Sequence, residues 1–157
     1  MIIIIRQYAK TTTTNSYYTG SMKKPPFEEI EHTADLALRV RGADYVDLLR
    51  NAALGMLQLS GVRPCSGPIL KRTIEIQATD RESLLVAWLE ELLFVIETRE
   101  MTFTSFDLHI KNDLQLSANV QEAPIETLMK HIKAVTFHDL KISQSEDGLE
   151  VTIVFDV

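Results

Sequence analysis

The sequence predicts an α+β fold, a single domain in which a largely antiparallel sheet carries two long helices and one short one. Three observations predict it. Several short stretches alternate apolar with polar residues, the period of a half-buried strand, and two longer ones carry apolar residues at three- and four-residue steps, the period of a helix. Strands also cluster with few helices between them, unlike the regular strand–helix alternation of a parallel sheet. A chain of 157 residues is expected to form one domain, removing roughly 70% of its unfolded surface from water.

From the N-terminal side, Phe27 to Arg41 holds two short apolar stretches around a polar corner, Glu31-His32-Thr33-Ala34-Asp35. Beyond the corner Leu36, Leu38 and Val40 alternate with Ala37, Arg39 and Arg41, which predicts a strand that Gly42 ends. Asp44 to Leu59 is expected to be helical, with Val46, Leu49, Ala53, Met56 and Leu57 on one stripe and Gly61 and Pro64 stopping it. Ile69 to Ala78 alternates again as a strand. Thr79-Asp80-Arg81-Glu82 then has the form of a capping box, a hydroxyl followed three residues later by a carboxylate. The strongest helix follows, its wide apolar face made by Leu84, Leu85, Trp88, Leu89, Leu92, Leu93 and Ile96, with Glu90 and Glu91 on the other side. Met101 to Val120 reads as two strands joined at Asn112-Asp113. Pro124 is expected to open a short helix through His131. The chain closes in a hairpin, one arm from Ile132 to Ile142, a turn containing Glu146-Asp147-Gly148, and a return arm to Val157. The expected order is β-α-β-α-β-β-α-β-β.

Residues 1–22 are rich in Thr, Ser and Tyr and lack helical periodicity. The domain is therefore expected over 26–157, with 1–25 a flexible N-terminal extension; read-through upstream of a start at Met22 and an organelle-targeting segment are alternatives. The net charge is −6 and the pI about 5.2. Residues 1–22 hold Arg6 and Lys10 and no acid, which leaves 14 of the 16 bases and all 22 acids to the rest. Such a body repels a phosphate backbone, so no direct nucleic-acid binding is expected; divalent cations or a basic protein surface suit it better. No stretch approaches the ~20 apolar residues of a membrane span, and Met1-Ile2-Ile3-Ile4-Ile5 is too short for a secretory core. The lone Cys65, in a Pro/Gly-rich loop, cannot form an internal bridge. That usage fits a reducing compartment, and a cytoplasmic location is expected.

Three polar places interrupt this core-building pattern: His32-Thr33-Ala34-Asp35, Lys133-Ala134-Val135-Thr136-Phe137-His138, and the terminal Phe155-Asp156-Val157. On the last arm, Leu149, Val151, Ile153, Phe155 and Val157 alternate with Glu150, Thr152, Val154 and Asp156, so the pleat turns Asp156 away from the apolar row. The chain-end carboxylate lies close by, and two anions at one strand end repel unless a cation neutralises them. Adding Asp35 would complete an all-oxygen set suited to calcium or magnesium rather than zinc. On the spacing alone, simple solvation is the commoner state of a terminal aspartate. His32 suits a turn or cap, and His138, sharing a face with Thr136, suits a half-buried histidine with its hydrogen bonds satisfied. No His pair at helical i, i+4 spacing, nucleophile elbow or glycine-rich phosphate loop is present. Enzyme signals are weak.

The motifs resemble a family. Phe27-Glu28-Glu29-Ile30-Glu31-His32-Thr33-Ala34-Asp35 resembles the opening of archeases, and Asn51-Ala52-Ala53-Leu54-Gly55-Met56 their first helix. The segment from Glu82 to Leu93 is similar to their second helix, Ile132 to His138 to their Lys-Ala-Val-Thr-aromatic-His strand, and the end to their terminal Asp-Val. The resemblance spans about 27–157 in the right order. It implies a protein cofactor, not an enzyme, that assists an RtcB-type RNA-splicing ligase by speeding guanylylation of the ligase and allowing repeated turnover in tRNA splicing and RNA repair. It also implies a bound divalent metal, calcium, with magnesium or manganese as alternatives, ligated by Asp35, Asp156 and Val157. His32, Lys133, Thr136 and His138 match further motif positions, expected around the same pocket or at a partner contact. Two other readings compete: a general chaperone or protein-modulating factor, and a metal-dependent hydrolase using Asp35 and His138.

Overall fold

The computed structural model describes residues 24–31 and 35–157. Its elements are β1 (Phe27–Ile30), β2 (Leu36–Gly42), α1 (Tyr45–Ser60), β3 (Arg63–Pro64), β4 (Leu70–Gln77), α2 (Arg81–Arg99), β5 (Met101–Lys111), β6 (Gln115–Thr127), β7 (Ala134–Thr136), β8 (Ser143–Ser145) and β9 (Gly148–Asp156). The α+β class, the antiparallel pairing and the two long helices are as the periodicity predicts. The strands divide into two antiparallel sheets. One has the order β1-β2-β9-β7, with β8 also on β9; in the other β6 pairs β3, β4 and β5. The expected N-terminal extension lies almost wholly outside the described residues.

The expected short helix at Pro124 is not formed. Pro124 sits inside β6 opposite Met101, and β6 continues to Thr127. A helix of two turns costs more to nucleate than it returns. Extending β6 instead pairs it with both β3 and β5, and the Pro124 carbonyl accepts from the Cys65 amide at 2.8 Å. The hairpin arm from Ile132 to Ile142 is likewise broken. β7 ends at Thr136, a turn closes from the Leu140 amide to the Phe137 carbonyl at 3.2 Å, and Asp139 adopts φ 49°, a conformation aspartate tolerates better than most residues. β8 then resumes the pairing with β9.

Side-chain caps start both helices. Asp44 accepts from the Asp47 amide at 2.8 Å, the bond of an N-cap, while Asp47 accepts from the amide of Ala43, the residue before the cap, at 3.0 Å. At α2 the cap is Asp80, accepting from the Ser83 amide at 2.7 Å, one residue later than the Thr79 the sequence pattern suggested. Gly55 lets α1 lie close on β1 and β2: a Cβ there would come within 2.5 Å of Leu38 Cδ2 and 3.0 Å of Phe27 Cγ. Trp88, fully buried, ties the helices by donating to the Leu49 carbonyl at 3.2 Å and meets Phe106 edge-on at 5.7 Å. Leu38, Val40, Leu49, Met56, Leu84, Leu89, Leu116, Ile153 and Phe155 belong to the same core, so both sheets and both helices share one apolar interior.

On the outer face of the first sheet Arg41, its side chain 5% exposed, joins Glu28 and Glu150 at 2.7 Å each and donates to the Pro25 carbonyl at 3.1 Å. The guanidinium holds the Glu28 carboxyl below its ordinary value of 4.5, chiefly by hydrogen bonding. A carboxylate with a lowered folded-state pKa contributes stability that is complete above its unfolded value and is lost as pH falls through the folded one. Arg41→Ala is therefore expected to destabilise by about 2 kcal/mol at pH 7. That is less than a fully buried pair would cost, because both carboxylates keep about a third of their surface in water. The loss should shrink as pH falls below 4.5. Urea denaturation at pH 7 and pH 3.5 checks both statements.

Candidate metal centre

β9 runs through the first sheet between β2 and β7, and its register with them builds the site. Leu36 stands opposite Phe155 and Ala37 opposite Val154 on the β2 side. Ala134 stands opposite Asp156 and Val135 opposite Phe155 on the β7 side. Carried one residue beyond the last paired position, the β2 register would set Asp35, in the bend before the strand, across from Asp156. Directly opposed residues of antiparallel strands share a face, with Cβ atoms ~5 Å apart. Phe155 and Val135 are buried in the core, so Asp156 turns to the opposite face. Asp35 is half-buried, Asp156 exposed.

The chain end is fixed by the neighbouring strand. The Lys133 amide donates to the Asp156 carbonyl at 2.8 Å, and Lys133 Nζ donates to the Val157 oxygen at 2.9 Å. One lysine thus holds the last two residues from both its backbone and its side chain. Asp35, Asp156 and the Val157 carboxylate bring three negative charges, and the Lys133 ammonium returns one, which leaves the charge a divalent cation would balance. The donors are all carboxylate oxygens, the hard ligand type that calcium, magnesium and manganese take. The residues present therefore fit a hard divalent ion. Among the described residues no group of three or more His, Cys, Asp or Glu side chains is clustered for a metal. The oxygens that would serve here are those of two aspartate side chains and the Val157 carboxylate.

The other sequence-predicted positions lie further along. Thr136 stands opposite Val154, on the same face but one step down the sheet, and its hydroxyl accepts from the His138 amide at 3.4 Å. His138 lies in the turn after β7, with Nε2 3.4 Å from the Asp139 carboxylate. It lies past the end of β7, so it does not share the strand face with Thr136 that the alternation suggested. It stands four positions after Ala134, which pairs with Asp156. His32 lies outside the described residues.

Two residues were read from the sequence only as the polar side of a helix or part of its cap. Glu90 accepts from the Val135 amide at 2.6 Å, and Glu82 from the Ile142 amide at 3.0 Å. Both carboxylates of α2 reach across to the segment that carries Lys133, Thr136 and His138. No local pattern announces such contacts, because their partners are main-chain groups 45 and 60 residues away.

Residues 27–157 match the model of the Archease protein family (MTH1598/TM1083). The chain belongs to the archease family. A protein archease of Methanosarcina barkeri is 32% identical over 143 residues, covering 83% of this chain and 95% of its own. One of Saccharolobus islandicus is 35% identical over 136 residues, covering 83% and 98%. Among solved structures, the crystal structure of a Thermotoga maritima archease, described as a possible chaperone, superposes with TM-score 0.62 at 25% identity, covering 87% of this chain and 98% of its own. The solution structure of Methanobacterium thermoautotrophicum protein 1598 gives 0.61 at 29% identity, covering 84% and 99%.

If this archease holds a divalent ion at the tip, calcium at 100 times its dissociation constant should stabilise the fold by about 2.7 kcal/mol, and chelation should remove the gain. Thermal unfolding with calcium and with excess chelator measures it. Asp35→Asn and Asp156→Asn should each abolish most of that shift. So should two glycines added after Val157, which move the terminal carboxylate while leaving every side chain in place.

Proposed function

We propose that this archease is a protein cofactor that activates an RtcB-type RNA-splicing ligase in tRNA splicing and RNA repair, promoting its guanylylation and repeated turnover, and that it catalyses no reaction itself. Membership of the archease family over residues 27–157 carries this reading. The acidic tip supports it. Asp35, Asp156 and the Val157 carboxylate would hold a divalent ion, with calcium preferred and magnesium or manganese alternatives, and Lys133 would keep the chain end in place. When bound, the ion supplies positive charge that can be shared with an anionic group of the partner. The protein's own part is to present hard oxygen donors in a fixed array. The net charge of −6 speeds encounter with a cationic ligase surface more than it raises affinity. No helix of the described residues is long and apolar enough to cross a membrane; the cytoplasm is the compartment this reading assigns.

The description of the Thermotoga protein favours a second reading, a general chaperone or protein-modulating factor. The two separate in one assay. With RNA substrate in excess over ligase, addition of this protein is expected to change a single round of ligation into many. Asp35→Ala should remain folded and lose the stimulation. A chaperone would instead protect unrelated client proteins from aggregation and leave ligase turnover unchanged, and that result would retire the ligase reading. Hydrolysis of phosphate esters by the protein alone, lost on chelation, would favour a metal-dependent hydrolase using Asp35 and His138.

A further inference from the structure

We infer that Glu90 is a positioning residue for the tip: from α2 it sets β7 so that Lys133 meets the last two residues of the chain. This extends the metal reading above and rests on it for its consequence, though not for its geometry.

β7 has three residues, Ala134 to Thr136. So short a strand makes few ladder bonds, and its place on β9 needs support from elsewhere. The support comes from one side of α2. Glu90 Oε1 takes the Val135 amide at 2.6 Å, a charge-assisted bond and so about twice as strong as a neutral one. Eight residues earlier on the same helix, Glu82 takes the Ile142 amide at 3.0 Å. The two carboxylates bracket the stretch between them, which includes the turn at Phe137 to Leu140. Glu90 is the anchor nearer the tip. Two residues before Val135, Lys133 makes its own two bonds, amide to the Asp156 carbonyl and Nζ to the Val157 oxygen. The path is Glu90 to β7, β7 to Lys133, and Lys133 to the chain end. α2 is itself locked by its buried face, with Trp88 and Leu89, the two residues before Glu90, fully buried. Glu90 therefore ties a buried-faced helix to the middle of a three-residue strand.

The charge matters less than the oxygen. Glutamine keeps the acceptor at the same reach, and methionine keeps length and helix propensity without it. Residues that orient a metal ligand through a hydrogen bond change metal affinity by about 10–100-fold when removed. The expected result of Glu90→Met is metal binding about tenfold weaker, with Glu90→Gln close to the original.

The test uses the full chain and two readouts. Amide hydrogen exchange, measured without metal, reports on positioning. Glu90→Met should speed exchange at Val135 and also at Lys133, whose amide Glu90 does not touch, and Glu90→Gln should restore both. Glu82→Met serves as the control on the same segment and should speed Ile142 while leaving Lys133 unchanged. Calorimetric titration with calcium then gives the consequence. Faster exchange at Val135 alone, with Lys133 unchanged, overturns the positioning role and leaves a local contact. So does Glu90→Gln behaving as Glu90→Met. If the original chain binds no calcium while the exchange pattern is as expected, the positioning stands and the metal reading fails.

Discussion

The register of β9 against β2 and β7 is the constraint on which the site depends. Side chains of a strand alternate between faces, so a slip of one residue would turn Asp156 into the core and expose Phe155. The core forbids that slip. Phe155, Ile153 and Val151 are buried with Leu38 and Val40 opposite them, and that apolar row fixes the face of every residue between. Hydrophobic burial therefore fixes the face on which Asp156 lies, and the register of β2, if continued to Asp35, would direct that residue to the same face. The site pays for its charge with a core that could not pack in any other register.

That arrangement explains how a tip so acidic can belong to an ordered strand end. Two aspartates and a chain-end carboxylate repel one another, and Lys133 offsets part of the repulsion from the adjoining strand. The rest of the molecule treats charge in the same manner. Arg41 is buried between Glu28 and Glu150, and Glu122, its side chain wholly buried, lies within 3.4 Å of Arg72 and 3.1 Å of Arg99. Opposite charges meet at these places and leave little net field. At the end of β9 Asp156 and Val157 are exposed, with Lys133 the basic side chain beside them.

Much of this was legible in the chain, for reasons that differ by element. Leu84, Trp88 and Leu92 announced α2 because an amphipathic face is a property of local spacing. Asn112 and Asp113 announced the turn between β5 and β6, and both adopt positive φ there, 54° and 57°. The alternation that ends in Phe155-Asp156 gave the face of Asp156 without any structure. Pro124 misled because a proline can open a helix and is also tolerated in a strand where its missing amide is not needed, and only the pairing of β6 with β3 and β5 decides between them. His138 misled because alternation was extended through a turn that Asp139 makes. The contacts of Glu90 and Glu82 were out of reach, since each joins a helix to the main chain of a distant segment. Family membership, read from the ordered motifs, came from the sequence alone and is matched across residues 27–157.

One diffraction measurement bears most directly on the tip. Crystals grown with calcium and measured at a wavelength where calcium scatters anomalously should show a peak about 2.3–2.6 Å from oxygens of Asp35, Asp156 and the Val157 carboxylate. A peak bound by other residues, or carboxylates of Asp35 and Asp156 too far apart to share one ion, would contradict the convergence on which the functional reading is built.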